Sequence, residues 1–231
     1  MKFSKKPTTL DEQVELLKSR GVIIDSVNAA SILESVNYYR FCGYGLYFEE
    51  YDQGNNRLNR FKKGTTFSQI HALYLWDECL KQLLQKYLGI FEILFRSVLN
   101  YSLVTDTLDL FWYIRKDLKI IASKMKAPPD NFASWVRSLV ILRNRCAHHG
   151  RLWGYRFKIK PSLTPKMRRM GMDNGSIGAL IYILYDLLST VKISQNAMAL
   201  EFNKLMQECP QDCLGALGLS HDFRLLQEMK G

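Results

Sequence analysis

Downstream of Phe67 the apolar residues Ile70, Leu73, Leu80, Leu83, Leu84, Tyr87, Ile90, Phe91, Leu94, Phe95 and Val98 fall repeatedly three or four positions apart. That period gathers them on one face of a helix, whereas a strand would alternate every second residue. A helical signal of this length makes the segment the expected backbone of the core, either as one helix or as a pair broken near Gly89. Glu92 and Arg96 lie inside it at an i, i+4 spacing. They read either as a surface ion pair, worth little, or as a carboxylate reaching a polar cluster further along the chain.

The rest of the chain is also helical in pattern. Thr9-Leu10-Asp11-Glu12 has the form of a capping box ahead of a short amphipathic helix that stops at Gly21. A second helix is expected from about Ser26 into Val36. After it, Asn37 to Phe48 crowds tyrosines and phenylalanines around Arg40 and two glycines, a run that suits core packing or stacking on bases. Gln53-Gly54-Asn55-Asn56 is a loop, and Lys62 to Thr66 a turn ending in a helix cap. Asp106 to Leu110 reads as a connection. A helix around Tyr113 to Met125 follows, stopped by Ala127-Pro128-Pro129-Asp130, and another from Asn131 carries Trp135, Leu139 and Leu142. Gly150 is its expected stop. Tyr155 to Pro161 alternates apolar with basic residues, as a short β strand or extended arm does. Helices are then expected from Ser176 to about Lys192, from Ser194 to Cys209, and through Leu225 and Leu226. The fold class is mainly α, with a helical and aromatic N-terminal segment over 1–62, a helical core with a basic arm over 63–210, and a C-terminal tail helix over 211–231.

Chemistry concentrates in Arg143-Asn144-Arg145-Cys146-Ala147-His148-His149-Gly150-Arg151-Leu152-Trp153, directly after the apolar Leu139-Val140-Ile141-Leu142. Each desolvated polar group left unpaired there would cost roughly 1 to 3 kcal/mol, so the cluster needs partners or a task. Charge points to the same place. The chain has a formal net charge of +10, and between Asn131 and Met172 ten basic residues occur with no acidic one. A positive field around histidines fits either a polyanion brought to an acid/base group or a solvated basic face.

No apolar run approaches the roughly 18 residues of a membrane span, and Met1 to Pro7 has no apolar block behind its lysines. A cytoplasmic protein is expected. The five cysteines, Cys42, Cys79, Cys146, Cys209 and Cys213, are an odd number without paired spacing, which argues against a disulfide framework. Cys209, Cys213 and His221 lack a fourth ligand nearby, so no metal site and no cofactor are expected.

Neither common Gly-rich phosphate loop is present, nor is His-Glu-x-x-His. The basic segment offers no carboxylates for a two-metal nuclease. Cys146 reads as packing rather than as a nucleophile. Histidine with arginine remains suited to phosphate chemistry: imidazole moves protons near neutral pH and guanidinium stabilises charge on phosphoryl oxygens. RNA carries its own nucleophile in the 2′-hydroxyl, so such a site could cleave it without metal. At about 100° per residue, Asn144 and His148 share a helix face while Arg143 and His148 splay apart by roughly 140°. Two antiparallel copies across a twofold axis would close the site, which makes a homodimer the expected assembly.

Arg143-Asn144-Arg145-Cys146-Ala147-His148 resembles the Arg-polar-x-x-x-His signature of HEPN domains. Together with Asn37 to Tyr44 and Phe61 to Phe67, the cluster is similar to successive blocks of the AbiD/AbiF-like abortive infection proteins, over most of the chain from about Lys6. The resemblance implies a HEPN-type helical bundle and a toxin ribonuclease of phage defence. In it Arg143, Asn144 and His148 carry catalysis, with Glu92 and Arg96 in support; His149 lies outside the motif and is read as supporting or RNA-contacting. Arg145, Arg151, Arg156, Lys158, Lys160, Arg168 and Arg169 are the expected RNA contacts. RNA is the implied partner, as substrate or as a bound structured RNA. A non-cleaving RNA-binding module and a surface for an acidic protein partner are the rival readings.

Overall fold

The computed structural model describes residues 8–105, 116–221 and 223–225. The fold is mainly α, and the chain divides into two compact units, Met1–Trp76 and Asp77–Gly231.

In the first unit, helix α1 (Leu10–Ser19) opens with the expected capping box: Thr9 Oγ1 accepts the Glu12 N–H at 3.2 Å, and Glu12 Oε2 accepts the Thr9 N–H at 2.7 Å. Helices α2 (Ala29–Val36) and α3 (Tyr38–Gly45) meet at Asn37, which has φ 72° and whose side chain accepts the Tyr39 N–H. The aromatic run is thus a helix that buries Phe41 and Tyr44, with Phe41 stacked on Phe67 at 4.4 Å, while Tyr39 stays exposed. Strands β1 (Glu49–Tyr51) and β2 (Arg57–Phe61) form an antiparallel hairpin around the expected loop. The hairpin itself has no sequence signature, because Phe61 alone of the β2 residues is buried. What fixes it is long-range: the fully buried Glu49 carboxylate accepts from Arg57 Nε at 2.6 Å and from Arg20, the residue that follows α1. Thr66 and Gln69 then cap the start of α4 (Phe67–Thr105) reciprocally.

Helix α4 runs 39 residues without a break at Gly89. A helical glycine costs about 1 kcal/mol relative to alanine, too little to interrupt a helix whose apolar face is buried on both sides of it. In the second unit α4 is followed by α5 (Lys116–Lys124), α6 (Pro129–Ala147), α7 (Pro165–Arg169), α8 (Ile177–Leu187), α9 (Lys192–Gln207) and α10 (Cys213–Leu217). Helix α8 is buried on almost every side and packs against α6, α9 and α10. A Cβ on Gly178 would lie 2.4 Å from Leu219, so only glycine lets the segment after α10 approach α8.

Several expectations are corrected. Tyr155 to Pro161 is not a strand but an irregular connection: Phe157 is buried and donates its N–H to Gly175 O at 2.8 Å, which occupies the backbone group a partner strand would need. Helix α6 begins at Pro129, where a proline is accommodated in the first turn because its missing N–H is not required. The segment from Asp212 contains the short helix α10, capped by Asp212, and residues 223–225 are not helical. The Asp106–Leu110 connection, the start of the Tyr113 helix and Leu226 lie outside the described residues. Among the described residues, no helix is long and apolar enough to cross a membrane.

Candidate active site

Helix α6 buries Phe132, Trp135, Ser138, Leu139, Leu142 and Cys146, which recur with helical period on one face. Arg143, Asn144 and Ala147 therefore fall on the opposite, exposed face, followed by His148 at the helix end. Arg143 Nη1 donates to Asn144 Oδ1 at 3.4 Å, and its Nε lies 3.3 Å from Glu92 Oε1 on α4. Glu92 is more loosely paired with Arg96, at 3.9 Å. The α4 carboxylate thus reaches the motif through its arginine. The His148 ring takes part in no hydrogen bond or ion pair among the described residues.

The end of α6 is a Schellman turn. Gly150 donates its N–H to Arg145 O at 2.8 Å and His149 to Cys146 O at 3.0 Å. The left-handed position, φ 51°, belongs to His149 rather than to the expected Gly150, a conformation that costs a non-glycine residue about 1 kcal/mol. Gly150 is needed for a different reason, since a Cβ there would come within 2.9 Å of the Arg145 side chain.

His149 is tied into a network that starts on α4. Its Nδ1 lies 3.2 Å from Glu78 Oε2, and Lys81 Nζ donates to Glu78 Oε1 at 2.7 Å. Lys81 also lies 3.0 Å from Asp77 Oδ2, with both side chains removed from solvent. The Asp77 carboxylate accepts the N–H groups of Leu152 at 3.1 Å and Trp153 at 2.8 Å. Burial pushes the Glu78 carboxyl up, but its bonds to Lys81 and His149 prevail and hold it below the ordinary value. A buried ion pair offsets its desolvation only when its remaining sites are satisfied. Here the two backbone N–H groups and Glu78 satisfy them, and the loop after the motif is fastened to α4.

The basic residues separate into two groups. Arg145 donates from Nε to Arg151 O at 2.8 Å, and its guanidinium lies 3.2 Å from the centre of the Tyr155 ring. Arg156 is paired with Asp173, the first acid after the basic segment. Both have partners within the chain. Lys158, Lys160, Arg168 and Arg169 remain exposed. Trp135 Nε1 donates to Ser162 O at 2.8 Å, anchoring this connection to α6. Burial pushes the Cys146 thiol up to about 12, which leaves it protonated and unreactive at neutral pH.

Asp77, Glu78 and Lys81 were not anticipated from the sequence. Their signal was present: Leu73, Asp77, Lys81 and Leu84 follow one another at three- and four-residue steps, so an acid and a base interrupt the apolar stripe itself. Charges at such positions must be paired with each other or with backbone.

Arg143, Asn144 and His148 are exposed, with the half-buried Glu92 behind the arginine. A guanidinium, an amide and an imidazole can bind a phosphate, stabilise charge on its oxygens and move a proton. Residues 31–119 and 110–154 match the family model described as Abi-like protein. No curated protein and no solved structure gives a significant match.

Proposed function

This chain belongs to the Abi-like protein family, matched over more than half of its length, and from that premise we propose that it is an abortive-infection protein acting in phage defence as a metal-independent HEPN endoribonuclease. His148 takes the proton of an RNA 2′-hydroxyl. The 2′-oxygen attacks the adjacent phosphorus and the bond to the 5′-oxygen breaks. The departing oxygen takes up a proton from solvent, and a 2′,3′-cyclic phosphate and a 5′-hydroxyl are left. Arg143, oriented by Glu92, stabilises the charge that grows on the phosphoryl oxygens, and Asn144 holds Arg143 from the same helix.

The observation that carries this reading is the division of labour in the motif. Arg145, Cys146 and His149 are engaged by the fold, whereas Arg143, Asn144 and His148 are presented to solvent with a carboxylate set behind the arginine. The residues a ribonuclease needs are the ones left available. Lys158, Lys160, Arg168 and Arg169 supply exposed charge for an RNA backbone.

Because Arg143 and His148 diverge along α6, the functional unit is a homodimer in which two motifs face one another. Ile93 and Val140, 72% and 53% exposed, lie one and three residues from the Glu92–Arg143 pair and provide an apolar margin for that contact.

The test is incubation of the purified protein with single-stranded RNA and its all-DNA counterpart in EDTA. Cleavage of RNA alone, leaving 2′,3′-cyclic phosphate and 5′-hydroxyl ends, is the expected result. Intact RNA retained with strongly salt-dependent affinity would replace this reading with that of an RNA-binding module.

A further inference from the structure

We infer that Arg137 guides the RNA strand away from the cleavage site proposed above, a site on which this inference rests. The strand leaves Asn144 and His148 along α6, is held at Arg137 through a phosphate, and passes onto the connection that bears Lys158 and Lys160. Helix α6 is continuous from Pro129 to Ala147, so helical geometry fixes where its exposed side chains stand. At about 100° per residue, Arg137 lies within roughly 20° of both Asn144 and His148 around the axis. At about 1.5 Å per residue it is about 10 Å from Asn144 along the axis. Arg137 is exposed and takes part in no hydrogen bond or ion pair among the described residues. Val140 and Arg143 are turned about 60° and 120° to one side of this row, the side expected to meet the second copy. Arg137 stands beside that contact rather than in it.

The connection after the motif reaches α6 on the other side of the row. Ser162 donates its N–H to Ser134 Oγ at 3.0 Å, and its carbonyl accepts from Trp135 Nε1 at 2.8 Å. Ser134 is three residues before Arg137, and side chains at that spacing are neighbours on a helix surface. Lys160 is two residues before Ser162, no more than about 7 Å of chain from this pin. Lys158 and Lys160 are both exposed. Arg137 therefore stands between the motif and the lysines, and their charges form one line instead of two separate patches.

The far end of the α6 row is closed to an anion. Asp130, also exposed, lies seven residues before Arg137 and within roughly 20° of it around the axis, where its charge repels a phosphate. A strand that follows the row from His148 is held at Arg137 and turned aside before Asp130, toward the pinned connection. A guanidinium suits that turning point, because its planar fork of donors grips two phosphate oxygens at once. Contacts of this kind position a strand without reading its bases.

The experiment measures kcat/KM for wild type, Arg137→Gln and the double variant Lys158→Gln with Lys160→Gln on two single-stranded RNA substrates that share one scissile step. One substrate is extended only on the 5′ side of that step and the other only on the 3′ side. Arg137→Gln is expected to lose roughly tenfold on one of the two and little on the other, with melting temperature and mass in solution unchanged. On the affected substrate its salt slope should fall by about 0.7. The double variant is expected to lose on that same substrate. Loss on neither substrate, equal loss on both, or loss at opposite ends in the two variants would overturn the path while leaving the ribonuclease reading intact. A lower mass in solution for Arg137→Gln than for wild type would move the residue to a subunit contact and overturn the path as well. A wild-type protein inert on both substrates would overturn that reading and this inference with it.

Discussion

The carboxylate of Asp77 accepts the Trp153 N–H at 2.8 Å, tying the turn that follows the histidines to the helix that carries Glu92. The bond fixes backbone near the site rather than any reacting group. Asp77→Ala would leave Lys81, which is only 2% exposed, with one of its two carboxylates gone, Glu78 remaining, beside two unsatisfied N–H groups. A loss of about 3 to 5 kcal/mol in unfolding free energy is expected from breaking such a pair. Urea titration of wild type and variant measures it, and a loss below about 1 kcal/mol would remove the anchor from the account.

The Glu92–Arg143 pair should behave in the opposite way. Arg143 is about half exposed and Glu92 about a third, so Glu92→Ala is expected to change stability by less than about 1 kcal/mol. Its effect belongs to the reaction: RNA cleavage should fall roughly tenfold with the melting curve unchanged. Full activity in Glu92→Ala would mean that Arg143 needs no carboxylate to aim it.

The Glu78 bonds make stability depend on pH with a definite sign. Its carboxyl is held below the ordinary value by Lys81 and His149 against the effect of burial. The stabilisation is fully present above the ordinary glutamate pKa of about 4.3 and fades as pH falls toward the lowered folded-state value. The difference in urea midpoint between wild type and Glu78→Gln should therefore be full at pH 7 and shrink below about pH 4. A difference that grows on acidification would contradict the network.

Asp186 has the reverse sign. Burial raises its carboxyl above the ordinary value, and Lys166 offsets this only in part. Its charged form is disfavoured in the folded state, so the penalty appears as pH rises above about 3.9. Asp186→Asn is expected to be at least as stable as wild type at pH 7 and to lose its advantage in acid. A clear destabilisation at neutral pH would show that the charge has a further role.

The exposed lysines of the connection should contribute to RNA affinity through charge alone. Removing Lys158 and Lys160 together is expected to lower the slope of log affinity against log salt by about 1.4, near 0.7 for each phosphate contact on a single strand. Arg156→Ala, which removes a group already paired with Asp173, should change the slope less. A fall of about 0.7 for Arg156→Ala alone would mean that RNA displaces Asp173.

Residues that act through local period or local capping were legible in the sequence. The Thr9 box, the apolar faces of α4 and α6, and the clustering of Arg143 to Trp153 each depend on neighbours within a turn or two. The β1–β2 hairpin was not legible, because it depends on Glu49 meeting Arg20 from 29 residues away. The Asp77–Lys81 anchor was missed for a related reason. Its charges interrupt the apolar stripe, and only the fold brings the Leu152 and Trp153 amides to meet them. Arg145 and Arg156 looked equivalent to Lys158 and Lys160 by charge, and differ because Tyr155 and Asp173 claim them. The left-handed turn was placed at Gly150 by composition, whereas the helix register puts it at His149.

The central claim is that Arg143 and His148 cleave RNA, and rates of single-stranded RNA cleavage by wild type, Arg143→Ala and His148→Ala test it most directly. Each substitution alters an exposed side chain and should leave the melting temperature unchanged. The account predicts cleavage by wild type and a loss of at least about 100-fold in each variant, with growth inhibition in cells lost in parallel. Cleavage and growth inhibition at wild-type levels in either variant would contradict it.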